Sequence, residues 1–324
     1  DSVELALKLG DGTLLLDAGR HDEALPTLQR AAALAPDAAQ ARLALGRCRL
    51  ALGAVEAARS DFEHALVLAP NDPRAGLSLA DALLFLGDPD AAAARLRAVL
   101  ARHPSCGPAW WGLAGIKTLR LTHEELQRLE RLQRDAPEGI DRTAMGFALG
   151  KAFEDEERLA DACAVLAEAN ADMRRRLPWD RGGFLGRLDH MYAAFAHTSA
   201  QAVPDTLGAE VIFVVSLPRA GSTLAEQILA AHPLVEGASE LGDLGTVIQE
   251  ESQRRRCSFP DWVAASTPQD WTRLGRRYLE RTARWRVSRP RFTDKMPNNW
   301  LYLGAALAML PGARVVDCRR DALE

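Results

Sequence analysis

VIFVVSLPRAGSTLAEQILAAHP, residues 211–233, has the order of a phosphate-binding loop: buried strand, tight turn, helix start. Val211 to Val215 is a continuous, largely β-branched apolar run, which predicts a parallel strand buried on both faces. The turn opens at Ser216. Pro218 fixes one backbone angle, Gly221 permits a left-handed turn, and Ser222 and Thr223 stand where a helix presents its unpaired amides. Helix is then expected from Leu224 to Ala231, with Pro233 preventing further extension. Free amides and the positive end of the helix dipole make an anion site without any side-chain charge. Arg219 adds a permanent positive charge at its lip, with a planar fork suited to two oxygens of a phosphate or sulfonate.

The magnesium-ATP pattern G-x-x-x-x-G-K-[ST] would put a glycine five residues before Gly221 and a lysine directly after it. Those positions hold Ser216 and Ser222, which disfavours an ordinary magnesium-ATP loop and leaves a generic strand-loop-helix turn as the bland alternative. A second cluster, RFTDKMPNNWLYLGAALAMLPGARVVDCRRD from Arg291 to Asp321, reads as strand, loop, helix, strand, loop, again a parallel α/β unit. Asp294 and Lys295 follow its first strand, and Arg319, Arg320 and Asp321 follow its second, Arg314 to Cys318. Both are carboxyl ends of strands, where open parallel sheets place ligands. A solvated loop charge is the alternative for Lys295, and an ion pair with Asp321 for Arg320.

PRAGSTLAEQILAAHP, the acidic Glu240 seven residues after Pro233, the loop DKMP and the strand end RVVDCRRD together resemble the sulfotransferases that use 3'-phosphoadenosine 5'-phosphosulfate. The nearest branch is the one holding tyrosylprotein sulfotransferases and bacterial sulfotransferases fused to tetratricopeptide repeats. The resemblance runs from about Val211 to the end of the chain. It implies that Pro218, Arg219, Ala220, Gly221, Ser222 and Thr223 hold the 5'-phosphosulfate, with Arg219 also orienting the sulfonate, and that no metal is needed. It implies that Arg320 holds the 3'-phosphate, that Lys295 touches the bridging oxygen, and that Glu240 takes the proton of the acceptor hydroxyl. A serine several residues further on completes the 3'-phosphate pocket in that family; the sequence ends at Glu324, and we expect the natural protein to continue. Without the resemblance, Glu240 reads as a surface glutamate of the loop ASELGDL. His232, a rival base, reads as complementing the carbonyls of the helix end.

The first half of the chain repeats. Pro36, Pro70 and Pro104 recur at intervals of 34, as do Gly19, Gly53 and Gly87, Ala24, Ala58 and Ala92, and Leu28, Phe62 and Leu96. That period is the tetratricopeptide signature: a glycine turns each helix pair, an alanine permits close approach, a proline ends the second helix. A divergent fourth unit closes at Pro137, and a fifth helix pair is expected from Thr143 to Met173. Such repeats offer a surface to a protein partner or another subunit. Of Trp110 and Trp111, one is expected in the core and the other over a helix junction, with a partner-binding aromatic pair as the alternative. A later helix, Pro268 to Arg286, is expected to start on a cap at Thr267 and Asp270 and to bury Trp271, Leu274, Tyr278 and Trp285. Its arginines Arg273, Arg276, Arg277 and Arg281 read as solvated charges, or as facing an acidic acceptor.

With 324 residues, 48% hydrophobic content and a formal net charge of -4, the chain can bury two cores and has no global pull toward nucleic acid or an anionic membrane. No apolar run suffices to span a bilayer, and no signal peptide is visible, although the chain begins at Asp1 and not at methionine. The five cysteines are scattered, with neither a disulfide framework nor a zinc spacing, which points to a reducing, cytoplasmic setting.

These readings predict a tetratricopeptide-repeat domain over residues 1–173, a connecting helix and linker over 174–205, and a P-loop-like parallel α/β sulfotransferase domain over 206–324, the C-terminal part of which is missing. The expected reaction is sulfuryl transfer to a hydroxyl, less readily an amine, of a peptide, protein or glycan. A repeat-based interaction scaffold with a degenerate nucleotide-binding domain is the alternative. A nucleotide kinase is disfavoured by the missing lysine.

Overall fold

The computed structural model describes residues 2–196 and 204–321; residues 197–203, inside the expected linker, and the last three residues lie outside that description. The chain divides into two compact units, Asp1–Trp179 and Asp180–Glu324.

The first unit is built of α1 (Ser2–Asp17), α2 (His21–Leu34), α3 (Ala39–Ala51), α4 (Val55–Leu68), α5 (Pro73–Phe85), α6 (Pro89–Arg102), α7 (Gly107–Ala114), α8 (His123–Asp135), α9 (Ile140–Asp155) and α10 (Leu159–Arg176). The period of 34 is carried by backbone and packing together. Gly19, Gly53 and Gly87 turn the hairpins at φ of 72°, 79° and 78°, and an added Cβ would meet open space at each, so conformation and not room demands glycine. Gly46 answers the opposite need: a Cβ there would come within 2.5 Å of the Phe62 ring, and its absence lets α3 and α4 close on each other. Ala24, Ala58 and Ala92 are wholly buried beside Leu28, Phe62 and Leu96, and Pro36, Pro70 and Pro104 each follow two residues after a helix end. The fourth repeat is where the pattern loosens. Its first helix, α7, is short and packs chiefly on α9, where the Gly107 amide donates to Asp141 Oδ1 at 2.8 Å. Trp110 is buried with its indole donating to the Pro104 carbonyl at 2.9 Å, whereas Trp111 stands 49% exposed, edge-on to Phe147 of α9.

The second unit contains α11 (Arg181–Phe195), β1 (Val211–Ser216), α12 (Ser222–Ala230), β2 (Val235–Gly237), α13 (Asp243–Arg255), α14 (Pro268–Arg281), β3 (Arg291–Asp294), α15 (Leu303–Met309) and β4 (Arg314–Cys318). The strands form one parallel sheet in the order β2-β3-β1-β4. A two- or three-stranded sheet is what the apolar runs announce; the fourth strand, Val235–Gly237, is three residues long with a glutamate at its centre, and becomes a strand by pairing with β3. The chain leaves β1 toward one side and returns across it to β4, so the connections part at the carboxyl end of β1, the place where open sheets bind ligands. Phe213, Phe292, Leu244, Trp262, Trp271 and Tyr278 fill the core beneath.

The helix α14 starts on the expected capping box of Thr267 and Asp270 and buries Trp271, Leu274 and Tyr278. It ends at Arg281, short of Arg286, because the Thr282 hydroxyl turns back to the Tyr278 carbonyl at 2.8 Å; Trp285 lies in the following 3-10 turn and is only half-buried. Three of its four singled-out arginines are held in ion pairs, while Arg276 is exposed and has none among the described residues. Arg273 pairs with Glu251, Arg277 with Glu250, and Arg281 with Asp243 and Glu250, all on α13. Burial opposes ionisation of Glu251, yet hydrogen bonds from Arg254, Arg255 and Arg273 outweigh it and hold its carboxyl down at about 2. Among the described residues no helix is long and apolar enough to cross a membrane.

Phe62→Ala opens a cavity against Gly46 and is expected to destabilise the repeats by about 3–5 kcal/mol. Urea unfolding followed by far-ultraviolet circular dichroism checks it; an unchanged midpoint would show that the hairpin contact is not what holds this unit.

Candidate functional site

Register decides which side chains meet. Ser216, the last residue of β1, pairs with Cys318 at the end of β4, while Phe213 pairs with Asp294 at the end of β3 and Thr293 with Gly237 at the end of β2. The loops that follow the four strands therefore open on one edge of the sheet: 217–221, 238–242, 295–297 and 319–321. Pro218 to Thr223, Glu240, Lys295 and Arg320 lie on this edge or at the helix it starts.

The loop after β1 behaves as its residues dictate. Gly221 sits at φ 85° in the left-handed region and caps α12, which begins at Ser222, two residues earlier than Leu224. Arg219 is left-handed too, at φ 67°, a conformation that costs a non-glycine residue on the order of 1 kcal/mol and that collects at functional sites. Its guanidinium is exposed and makes no hydrogen bond or ion pair among the described residues. At the root of the loop the Ser216 hydroxyl is buried without a partner among the described residues. The first amides of α12 and the Arg219 fork make this edge electropositive, which suits an anion.

Lys295 and Glu240 stand 55 positions apart in the chain and meet at 2.7 Å, Nζ donating to Oε1. Lys295 is 6% exposed and Glu240 52%, so the ammonium is sunk in the edge and the carboxylate reaches it from solvent. A plain solvated loop charge is thereby excluded for Lys295. The backbone joins the two loops as well, the Lys295 amide donating to the Ser239 carbonyl at 3.0 Å. Arg320 lies just beyond β4 on the same edge and is exposed. His232 does not complement helix carbonyls through Nδ1, which accepts the Leu234 amide at 3.2 Å.

Beneath Lys295 lies Asp294, which by sequence falls just after the strand without a role and which is the last residue of β3. Asp294 is fully buried, its two oxygens accepting from the Tyr278 hydroxyl at 2.7 Å and the Asn299 amide at 3.1 Å. Burial pushes its carboxyl up to about 7, against the pull of those two donors. Burial and the neighbouring carboxylate push the Tyr278 hydroxyl well above its ordinary value, so it stays a donor. A groove of about 640 Å³ between α13 and α14 shares no residue with the edge, and the guanidiniums and carboxylates that line it largely pair with one another.

Helical repeats followed by a parallel α/β domain define the class. Residues 211–324 match the sequence model of the sulfotransferase family, and residues 9–73 and 55–115 match models of the tetratricopeptide repeat. An uncharacterized protein of Aquifex aeolicus is 29% identical over 214 residues, an alignment that takes in 63% of this chain and 28% of that protein. Among solved structures, a thermophilic tetratricopeptide-repeat protein of Thermus thermophilus is 23% identical at a TM-score of 0.41, over 54% of this chain and 93% of its own. MamA of Desulfovibrio magneticus is 20% identical at a TM-score of 0.41, over 54% of this chain and 97% of its own. The chain thus carries one segment that matches tetratricopeptide repeats and, after it, one that matches the sulfotransferase family.

The raised carboxyl of Asp294 predicts a pH dependence. Its folded value of about 7 lies above the ordinary 3.8, so the folded chain binds more protons between the two, and stability is lost as pH rises through that window. The loss is on the order of 4 kcal/mol. Asp294→Asn is expected to flatten the fall in melting temperature between pH 5 and pH 8; an equal fall in both proteins would refute the assignment.

Proposed function

We propose that the chain transfers a sulfuryl group from 3'-phosphoadenosine 5'-phosphosulfate to a hydroxyl of a peptide, protein or glycan. The observation that carries this is the Lys295–Glu240 contact at 2.7 Å, formed on the edge where the anion loop opens. A buried cation and an accessible carboxylate, side by side and close to an anion loop, are the parts that such a transfer needs.

The donor supplies an activated sulfuryl group whose leaving group is a phosphate. Transfer of this kind passes through a loose in-line transition state with negative charge on the leaving oxygen, so catalysis is chiefly positioning and electrostatic stabilisation. The amides at the start of α12 and the Arg219 fork hold the anionic chain, and the buried Ser216 hydroxyl, which lacks a partner among the described residues, fits an oxygen-rich ligand. Lys295 Nζ offsets charge at the bridging oxygen. Glu240 Oε1 takes the proton of the acceptor hydroxyl. In the resting protein these two groups hold each other, and each is released when a ligand oxygen or hydroxyl takes its partner's place. Arg320 holds the 3'-phosphate at the end of β4. The repeats present the acceptor or another subunit, and the five free cysteines accord with a cytoplasmic setting.

Calorimetry with 3'-phosphoadenosine 5'-phosphate is expected to show binding without magnesium, weakened about ten- to a hundredfold by Arg219→Ala. Glu240→Gln is expected to keep that affinity and to lower sulfuryl transfer about a hundredfold to ten-thousandfold. Preference for magnesium-ATP would turn the assignment to a kinase; no binding of either would turn it to the interaction scaffold.

A further inference from the structure

The helix α12 is inserted with its polar side inward. Ser222 and Glu226, one turn apart, are its buried residues, while Leu224 and Ile228 are left 67% and 66% exposed. Apolar burial alone does not account for its orientation, since Leu224 and Ile228 face outward and Leu229 is only half-buried. A carboxylate in this position is costly unless hydrogen bonds satisfy it, and Glu226, 3% exposed, has no ion-pair partner among the described residues. What it has is two donors on one oxygen: the Ser239 amide at 2.9 Å and the Thr293 hydroxyl at 2.9 Å.

Those donors belong to the two segments that carry the lysine and the acid. Ser239 precedes Glu240 and is left-handed at φ 61°, a conformation that serine holds only when its surroundings enforce it. Its amide goes to Glu226 and its carbonyl receives the Lys295 amide. Thr293 lies on β3 two residues before Lys295, and its hydroxyl oxygen also accepts the Ala238 amide at 3.3 Å. One carboxylate on the anion-loop helix thus ties together the turn into Glu240 and the strand into Lys295.

We propose that Glu226 is a positioning residue of the transfer site: by holding the Ser239 amide and the Thr293 hydroxyl, it sets Glu240 and Lys295 against each other and against the anion loop at the start of its own helix. This rests on the sulfotransferase assignment above. Glu226 does not act as a base itself, because it is buried and its Oε1 is already committed to two donors.

The test compares Glu226→Ala with Glu226→Gln, whose side-chain carbonyl can accept the same two hydrogen bonds. Three quantities are measured on the full chain: affinity for 3'-phosphoadenosine 5'-phosphate, release of sulfate from the phosphosulfate donor with water as acceptor, and hydrogen exchange of the Ser239 and Lys295 amides. Glu226→Ala is expected to speed exchange at both amides, to slow sulfate release about a hundredfold, the scale of an ångström of misplacement, and to leave bisphosphate affinity within about threefold, a shift under 1 kcal/mol. Glu226→Gln restores exchange protection and rate. Exchange and sulfate release unchanged in Glu226→Ala overturn the inference, as does a Gln variant as slow as Ala. A wild-type chain that binds no bisphosphate overturns the assignment beneath it instead.

Discussion

Parallel register is the constraint on which the second unit turns. Because β1 pairs with β3 over Val211–Phe213 and with β4 over Ile212–Ser216, all in parallel, the loops that follow these strands open on one edge, and that of β2 follows through β3. Nothing in the loops themselves would bring residue 219 near residue 320, or residue 240 near residue 295. The sheet does so with backbone hydrogen bonds, and its own stability comes from the aromatic and aliphatic core below it. A one-residue slip of β3 would turn Asp294 out of its bonds with Tyr278 and Asn299 and send Lys295 to the other face.

Polar groups beneath that edge are arranged at a cost. Asp294 and Glu226 are both buried carboxylates held by neutral donors, hydroxyls and amides, with no cation among the described residues in their hydrogen-bonding shells. A domain selected for stability alone would fill such positions with apolar side chains. The exchange makes sense when the loops above must hold one geometry: the carboxylate of Glu226 fixes a left-handed serine, and the buried Asp294 anchors β3 and the Asn299 turn on either side of Lys295.

Much of this was legible in the residues, for identifiable reasons. The repeats could be read because a period of 34 superimposes independent demands for a positive φ, for a small side chain and for a helix stop. The turn after β1 could be read because proline and glycine state their backbone angles directly, as Gly221 does at φ 85°. The strand Val235–Gly237 could not, since three residues carry no periodicity and its partner lies more than fifty positions away. Glu226 was hidden for a related reason. In LAEQILAAHP it looks like the solvated side of an amphipathic helix, and only long-range hydrogen bonds turn that side inward. The arginines of α14 misled in the opposite sense: local sequence shows their charge, but the carboxylates that engage them sit on α13, some twenty to forty positions earlier.

That pairing bears on how an acidic chain makes a place for an anion. The net charge of -4 gives no general attraction, and the cations of α14 that could have formed a broad basic surface pair with Glu250, Glu251 and Asp243. Their positive charge is thereby spent on joining two helices. On one edge of one small sheet the electropositive groups are the amides opening α12 and the Arg219 guanidinium, which has no partner among the described residues, while the sunken Lys295 ammonium is paired with Glu240. Local fields of this kind are screened less than scattered surface charge, because one partner is buried and the dipoles are fixed in place. In the proposed function the anion is held by a few groups with defined directions, and the overall charge can stay negative without opposing it.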